Sequence, residues 1–185
     1  MKLMLYMITL ALFTSVFAQD FQILIGGEFG QTKHKWKDYT GEWENDFGMR
    51  LGGETDESRI YLSYNYVEIK DFIPDRNGKD TNFKTHTALL NFDAKTPKYY
   101  KVFRGFVGVH VGALYSQWDL GDDPTAGDNK DDTNFIYGAK AGIIIDLFDS
   151  FYLESGLKYS LINASSDSIT PSDIINYYGA VNLKF

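Results

Sequence analysis

The sequence runs to 185 residues, with no cysteine and a formal net charge of −7. That is the length of one domain; it leaves out disulfides and thiolate metal sites, and its acidity argues against a nucleic-acid partner. Aromatic residues make up 16%, yet the mean hydropathy is −0.27. This is too polar for a bundle of membrane helices and compatible with strands that are apolar on one face alone.

The first predicted element is a leader. Met1-Lys2 gives a positive start, residues 3–17 (LMLYMITLALFTSVF) are apolar apart from Thr and Ser, and Val16-Phe17-Ala18 puts small residues at the −3 and −1 positions. The pattern predicts a secretory signal peptide over residues 1–18, cut after Ala18. An uncleaved membrane anchor is the alternative, but the apolar run is short of the about 20 residues a span needs. Residues 19–185 are then one domain.

Eight segments of two-residue alternation follow, at roughly 21–30, 46–54, 58–66, 84–94, 102–115, 134–146, 151–162 and 174–185. Each predicts a strand. The connections 31–45, 67–83, 116–133 and 163–173 are long and polar, whereas 55–57, 95–101 and 147–150 are short. Long and short alternate along the chain. An eight-stranded meander puts every second connection on the same side, so the long ones gather at one end.

One face of these strands is apolar: Ile23, Ile25 and Phe29; Met49 and Leu51; Leu62 and Tyr64; Leu90 and Phe92; Val107, Val109 and Val111; Ile143 and Ile145; Leu157 and Tyr159; Val181 and Leu183. The other carries Glu28, Arg50, Glu54, Arg59, Asp93, Arg104, His110, Lys140, Asp146, Glu154, Lys158 and Lys184. A soluble barrel would turn the apolar face inward. The glycines argue otherwise, because Gly26, Gly30, Gly48, Gly52, Gly108, Gly112, Gly138, Gly142 and Gly156 share the charged face. Glycine weakens a strand and gains nothing on an open surface, but makes room inside a narrow barrel. The charged face is therefore predicted to be the crowded interior, and the apolar face to meet lipid.

Aromatics bracket that apolar face. Tyr64, Tyr66, Tyr115, Phe135, Tyr137 and Tyr177 fall toward the long connections, and Phe21, Phe92, Tyr99, Tyr100, Phe103, Phe151 and Phe185 toward the short ones, as two interfacial belts would. The last strand ends Tyr177-x-Gly179-x-Val181-x-Leu183-x-Phe185, an alternation that closes against the first strand and needs no polar edge.

Leader, eight-strand meander and terminal pattern together resemble the small outer-membrane β-barrel family of the OmpA and OmpX type, over the whole of residues 19–185. The resemblance implies an all-β, eight-stranded antiparallel up-and-down transmembrane barrel in the bacterial outer membrane, and a monomer. It implies contact with outer-membrane lipid and lipopolysaccharide, and external loops able to take a surface ligand. It also implies that Tyr177, Gly179, Val181, Leu183 and Phe185 are read by the barrel-insertion machinery.

Three chemistries are weighed from the residues. The inward charges Glu28, Arg50, Glu54, Arg59, Arg104, Lys140, Glu154 and Lys158 form either a polar plug or a narrow porin-like path for ions or small solutes. The plug is favoured because an eight-stranded interior is just wide enough for side chains. Glu154 is expected to take Lys140, on the preceding strand, as its countercharge. An enzyme is not expected: His86 points outward, His110 inward, and His34 is read as a solvated loop residue, so no nucleophile–base pair can be placed. The loop WDLGDDPTAGDNKDDT gathers Asp119, Asp122, Asp123, Asp128, Asp131 and Asp132, which could hold Ca²⁺, but the spacing does not match the EF-hand ligand ladder, and a flexible acidic surface loop is the plainer reading. No metal or other cofactor is assigned. Trp36 and Trp43 are left as either a partner-binding patch or aromatics of an extended strand.

Overall fold

The structure, a computed structural model, describes residues 21–36, 40–69, 82–119, 130–163 and 171–185. The expected leader with its Ala18 cleavage site lies outside them, as does most of the acidic stretch between Asp119 and Asp131.

Eight strands follow in order: β1 (Gln22–Lys35), β2 (Thr40–Glu54), β3 (Ser58–Ile69), β4 (Asn82–Lys95), β5 (Phe103–Asp119), β6 (Lys130–Phe148), β7 (Phe151–Asn163) and β8 (Asp173–Lys184). Each pairs with the next, and β8 pairs with β1 to close the barrel. The closing ladder is antiparallel from Leu24↔Lys184 to Lys35↔Asp173. Beyond it, Ile23 and Phe185 exchange both backbone hydrogen bonds, at 2.9 and 3.0 Å. The chain therefore reaches Phe185 without leaving an edge unpaired in this seam.

The strands are longer than the alternation suggested. The expected loop 31–45 is mostly hairpin, because β1 continues to Lys35 and β2 begins at Thr40. Strands of 12 to 19 residues exceed the roughly 9–11 needed to cross a bilayer, so the barrel wall stands beyond the apolar band at the end carrying 37–39, 70–81, 120–129 and 164–170. Outside lipid both faces of a strand can be polar. Alternation then disappears from the sequence while the ladder continues, which is why these segments read as loops. Trp43 accordingly sits on β2 against Tyr177, with ring centroids 5.0 Å apart; it is an aromatic of an extended strand.

The assignment of faces holds on every strand. Met49, Leu62 and Val107 are 65%, 60% and 63% exposed, whereas Arg50, Arg59 and His110 are each 1% exposed. The inward glycines sit beside large neighbours. A Cβ on Gly142 would lie 2.2 Å from the Ser155 carbonyl oxygen and 2.6 Å from the Phe106 ring. One on Gly156 would lie 2.8 Å from the Tyr178 hydroxyl. Glycine here is the space a ring occupies. Gly179 is different: it faces outward, and the Phe29 ring of β1 lies over it, 3.0 Å from where a Cβ would be. An aromatic on the neighbouring strand so covers a glycine that would otherwise leave the backbone bare.

Candidate functional site: the charged lumen

The inward residues form four levels along the barrel axis. At the short-turn end, Arg104 Nε donates to Asp146 Oδ2 at 2.7 Å, and its Nη1 donates to the Asp56 carbonyl at 2.9 Å. Glu54 is shared. Lys95 Nζ donates to its Oε1 at 3.1 Å, the Tyr152 hydroxyl donates to its Oε2 at 2.6 Å, and Lys184 Nζ lies 3.8 Å from Oε1.

The second level is the densest. Arg50 donates from Nε and Nη2 to Glu28 Oε2 at 2.8 and 2.5 Å. Its Nη1 lies 3.1 Å from Glu154 Oε1. Arg59 Nε donates to Asp93 Oδ2 at 2.5 Å, and its Nη1 donates to Glu154 Oε2. Glu154 thus bridges two guanidiniums, and Tyr178 donates a further hydrogen bond to it at 2.8 Å. Lys158 donates to Glu28 Oε1. Lys140 pairs with Asp93 Oδ1 at 2.9 Å and donates to Asn91 Oδ1 at 3.0 Å and to the Tyr61 hydroxyl.

Rings pad the charges. The Arg50 guanidinium carbon lies 5.2 Å from the Tyr61 ring centre and 4.9 Å from that of Tyr178; that of Arg59 lies 5.3 Å from Tyr61 and 4.7 Å from Phe106. A desolvated guanidinium over an aromatic face gains from the ring quadrupole. Such padding matters because a charge out of water must be met by partners on several sides.

The third level is neutral apart from one acid. Asp46 accepts from the Thr32 hydroxyl at 2.8 Å, from Asn65 Nδ2 at 3.0 Å and from Asn176 Nδ2 at 2.7 Å. These groups line a cavity of about 30 Å³, room for a water or two. Around and above that cavity the inward side chains are mainly apolar, with His34 and Thr85 buried among them. Leu89, Leu114, Ile136 and Ile174 form one cluster, and Val67, Ile69, Phe83 and Trp36 another.

Several expectations are corrected here. Glu154 is not the partner of Lys140. The register sets Ile144 beside Glu154 and Lys140 beside Lys158, and the two lysines part to Asp93 and Glu28. His34 is not a solvated loop residue: it is 1% exposed, inside the barrel wall, with its ring 5.9 Å from Trp36 and 6.1 Å from Phe83. His110 does point inward, with Nε2 2.8 Å from Ser160 Oγ, and His86 outward, so the three histidines occupy three separate places.

Glu28, Arg50, Arg59, Lys140, Glu154 and Lys158 come together in the second level, and Glu54 and Arg104 lie in the first. Asp93, expected on the inward face, joins them, and residues not singled out complete the network: Tyr61, Tyr152, Tyr178, Asn91, Lys95 and Asp46. Their signal was parity. Tyr61 is two residues from Arg59, Tyr152 two from Glu154, and Asn91 two from Asp93, so each shares an inward face with a charge.

Charges within and an apolar band without define a transmembrane β-barrel. The fold is that of the small eight-stranded outer-membrane barrels. Neisserial surface protein A superposes with a TM-score of 0.67 at 14% identity, over 89% of this chain and 97% of that one. OprH of Pseudomonas aeruginosa gives 0.57 at 20% identity, over 89% and 99%. Ail, the attachment invasion locus protein of Yersinia pestis, gives 0.57 at 11% identity, over 89% and 97%, in its complex with the heparin analogue sucrose octasulfate. No family model matches the sequence, and no curated protein matches it.

Proposed function

We propose that the protein is an integral barrel of the bacterial outer membrane with a closed lumen, and that it serves as a structural or surface-interaction protein through its external end. The observation that carries this reading is Glu154. From β7 it reaches Arg50 on β2 and Arg59 on β3, so paired side chains cross the axis at mid-barrel. An ion passing that level would have to separate buried charges held at hydrogen-bond distance.

The test is planar-bilayer recording of the refolded protein. The expected result is a bilayer whose conductance stays at its protein-free value. Steady single-channel steps in the wild type would replace this reading with the porin-like one.

Catalysis has no place in the proposal, because His34, His86 and His110 lie at the mouth, on the outer wall and in the lumen. The sulfated ligand of Ail is not carried over either. The stretch Asp119–Asp132 is rich in carboxylates, which repel a polyanion; a ligand taken by this end would be neutral or cationic. The barrel works as a monomer, among lipid and lipopolysaccharide.

The end of β8 serves assembly in this proposal. Tyr177, Val181, Leu183 and Phe185 are outward and exposed by 54%, 40%, 43% and 68%, a surface free for the insertion machinery to read before lipid covers it. Deleting Phe185 also removes its two bonds to Ile23. The expected outcome is less barrel in the outer membrane and more precursor in the periplasm, measured by fractionation and immunoblot. Wild-type levels in the membrane would take the terminal residue out of the signal.

A further inference from the structure

Trp36, Val67, Ile69 and Phe83 close the outer mouth of the lumen as an apolar cap, and one titratable side chain is packed into it. His34 is 1% exposed. Its ring lies 5.9 Å from that of Trp36 and meets Phe83 edge-on at 6.1 Å. Below the cap it lines the cavity over Asp46. Its Nδ1 is buried and has no hydrogen-bond partner among the described residues. A leucine or phenylalanine would fill the same space. What an imidazole adds here is a place for a proton.

The ring belongs to the tip of the β1–β2 hairpin. At this height the two strands slip register, between Lys33 and Lys35. Among the described residues β2 pairs with β3 no farther out than Asp46↔Val67. The cap, rather than the ladder, therefore ties this tip to β3 and β4. His34 also lies outside the span. Its neighbour Lys33 points outward and holds its ammonium 5.7 Å from the centre of the Trp43 ring, so this height is already the interface.

The charged groups around the ring are poorly placed to hold an imidazolium in the cap. From β2 comes Asp46, which already accepts three hydrogen bonds. Nearer the rim, Glu42 is exposed and Glu44 half-buried. From β7 comes Lys158, a cation lining the same cavity. Lys35 of β1 pairs with Asp173 of β8 at 3.6 Å, and β3 and β4 turn Glu68 and Lys84 outward. Burial alone pushes the imidazole down to about 4, so the closed mouth holds it neutral at pH 7. Opened to water, the ring titrates at about 6.5. The open form thus takes up a proton that the closed form refuses. Closure is at full strength above about pH 6.5, weakens as the pH falls, and loses nothing more below about pH 4.

We propose that His34 is an acid-sensitive catch on the outer mouth. Neutral, it holds the β1–β2 tip against Phe83. Protonated, it leaves the cap for water and the rim carboxylates, and the mouth opens onto the cavity over Asp46. The paired charges beneath stay in place, so the lumen remains blocked while the cavity becomes accessible from outside.

Hydrogen–deuterium exchange of the full barrel refolded in phosphatidylcholine nanodiscs tests this at about pH 7.5 and about pH 5, with each rate divided by the intrinsic amide rate at that pH. In wild type the amides of 31–36 and 83–87 are expected to lose about thirtyfold in protection at the lower pH, the ratio given by pKa values of about 6.5 open and about 4 closed. Those of 24–28 should hold theirs. His34→Phe and His34→Gln, uncharged at both pH values, should each remove the difference, and Asp46→Asn should keep it. Folding of each variant is verified beforehand by the migration of unheated samples in gels. Equal protection of the wild-type mouth at both pH values would overturn the catch. Greater protection at the lower pH would overturn it too, by showing that Asp46 captures the imidazolium inside. A response that persists in both His34 variants, or vanishes in Asp46→Asn, would take the sensing away from His34. Conductance is not read, so none of these outcomes depends on the closed-lumen reading.

Discussion

Glu154→Gln is expected to cost the barrel about 3 kcal/mol, the lower end of what breaking a buried ion pair costs. The lower end follows from the geometry. Arg50 keeps Glu28 and Arg59 keeps Asp93, so neither guanidinium is stranded, but each loses the charge between them, and Tyr178 loses an ionised acceptor. Urea unfolding of the protein refolded in lipid measures the difference. The same experiment separates the two possible partners of Glu154. Reversing it together with Lys140 should give no recovery, because a lysine at 154 would face Arg50 and Arg59 while a glutamate at 140 would face Asp93. Coupling between Glu154 and Arg59 in a double-mutant cycle is expected instead. Recovery in the Glu154–Lys140 reversal would refute the network described here.

Gly142→Val is expected to be at least as damaging, about 3 kcal/mol or loss of the folded barrel. Overpacking a filled core usually costs about 1–3 kcal/mol, but here the obstacle is the backbone carbonyl of Ser155, 2.2 Å from the new Cβ. That oxygen belongs to the β6–β7 ladder and cannot rotate away, and Phe106 closes the other side. The contrast is Gly27→Val on β1. Gly27 faces outward, and nothing lies within 4 Å of an added Cβ, so the change should stay within about 0.5 kcal/mol. Folded fractions of the two variants, read by migration before and after boiling, test which face is inside. Tolerance at Gly142 with failure at Gly27 would turn the barrel inside out.

Period-two alternation made the strand count, the pairing order and the orientation of each strand legible in the sequence. Glycines on the charged face sufficed to choose the inside, since Gly142 and Gly156 have no other physical reason to share it. Strand ends were not legible, because β1 and β2 run on past the apolar band, where residues such as Gln31 and Glu44 are polar on either face. His34 was misread for that reason, although its parity with Glu28 and Thr32 already pointed it inward.

Partners within the lumen were the least legible. A partner depends on the offset between neighbouring strands, and the sequence does not carry it. Two side chains that meet across the axis, such as Glu154 on β7 and Arg59 on β3, have three strands between them. Tyr61, Tyr152 and Tyr178 escaped notice because a tyrosine in a barrel reads first as a belt residue. Their inward parity distinguishes them.

The pairing pattern also bears on the order of assembly. Glu28 with Arg50, Arg59 with Asp93, and Arg104 with Asp146 each join consecutive strands, so the hairpins β1–β2, β3–β4 and β5–β6 each contain a neutralising pair of their own. The seventh strand is different. Glu154 finds its opposite charges on β2 and β3, and Lys158 finds its own on β1. Those bonds cannot exist until the sheet has curled far enough to bring its two ends together. Contacts so distant along the chain are slow to form, and the strand that makes them arrives with its charges unmatched. Closure of this cylinder is thus a latch, set late and by β7, rather than a zipper that tightens one strand at a time.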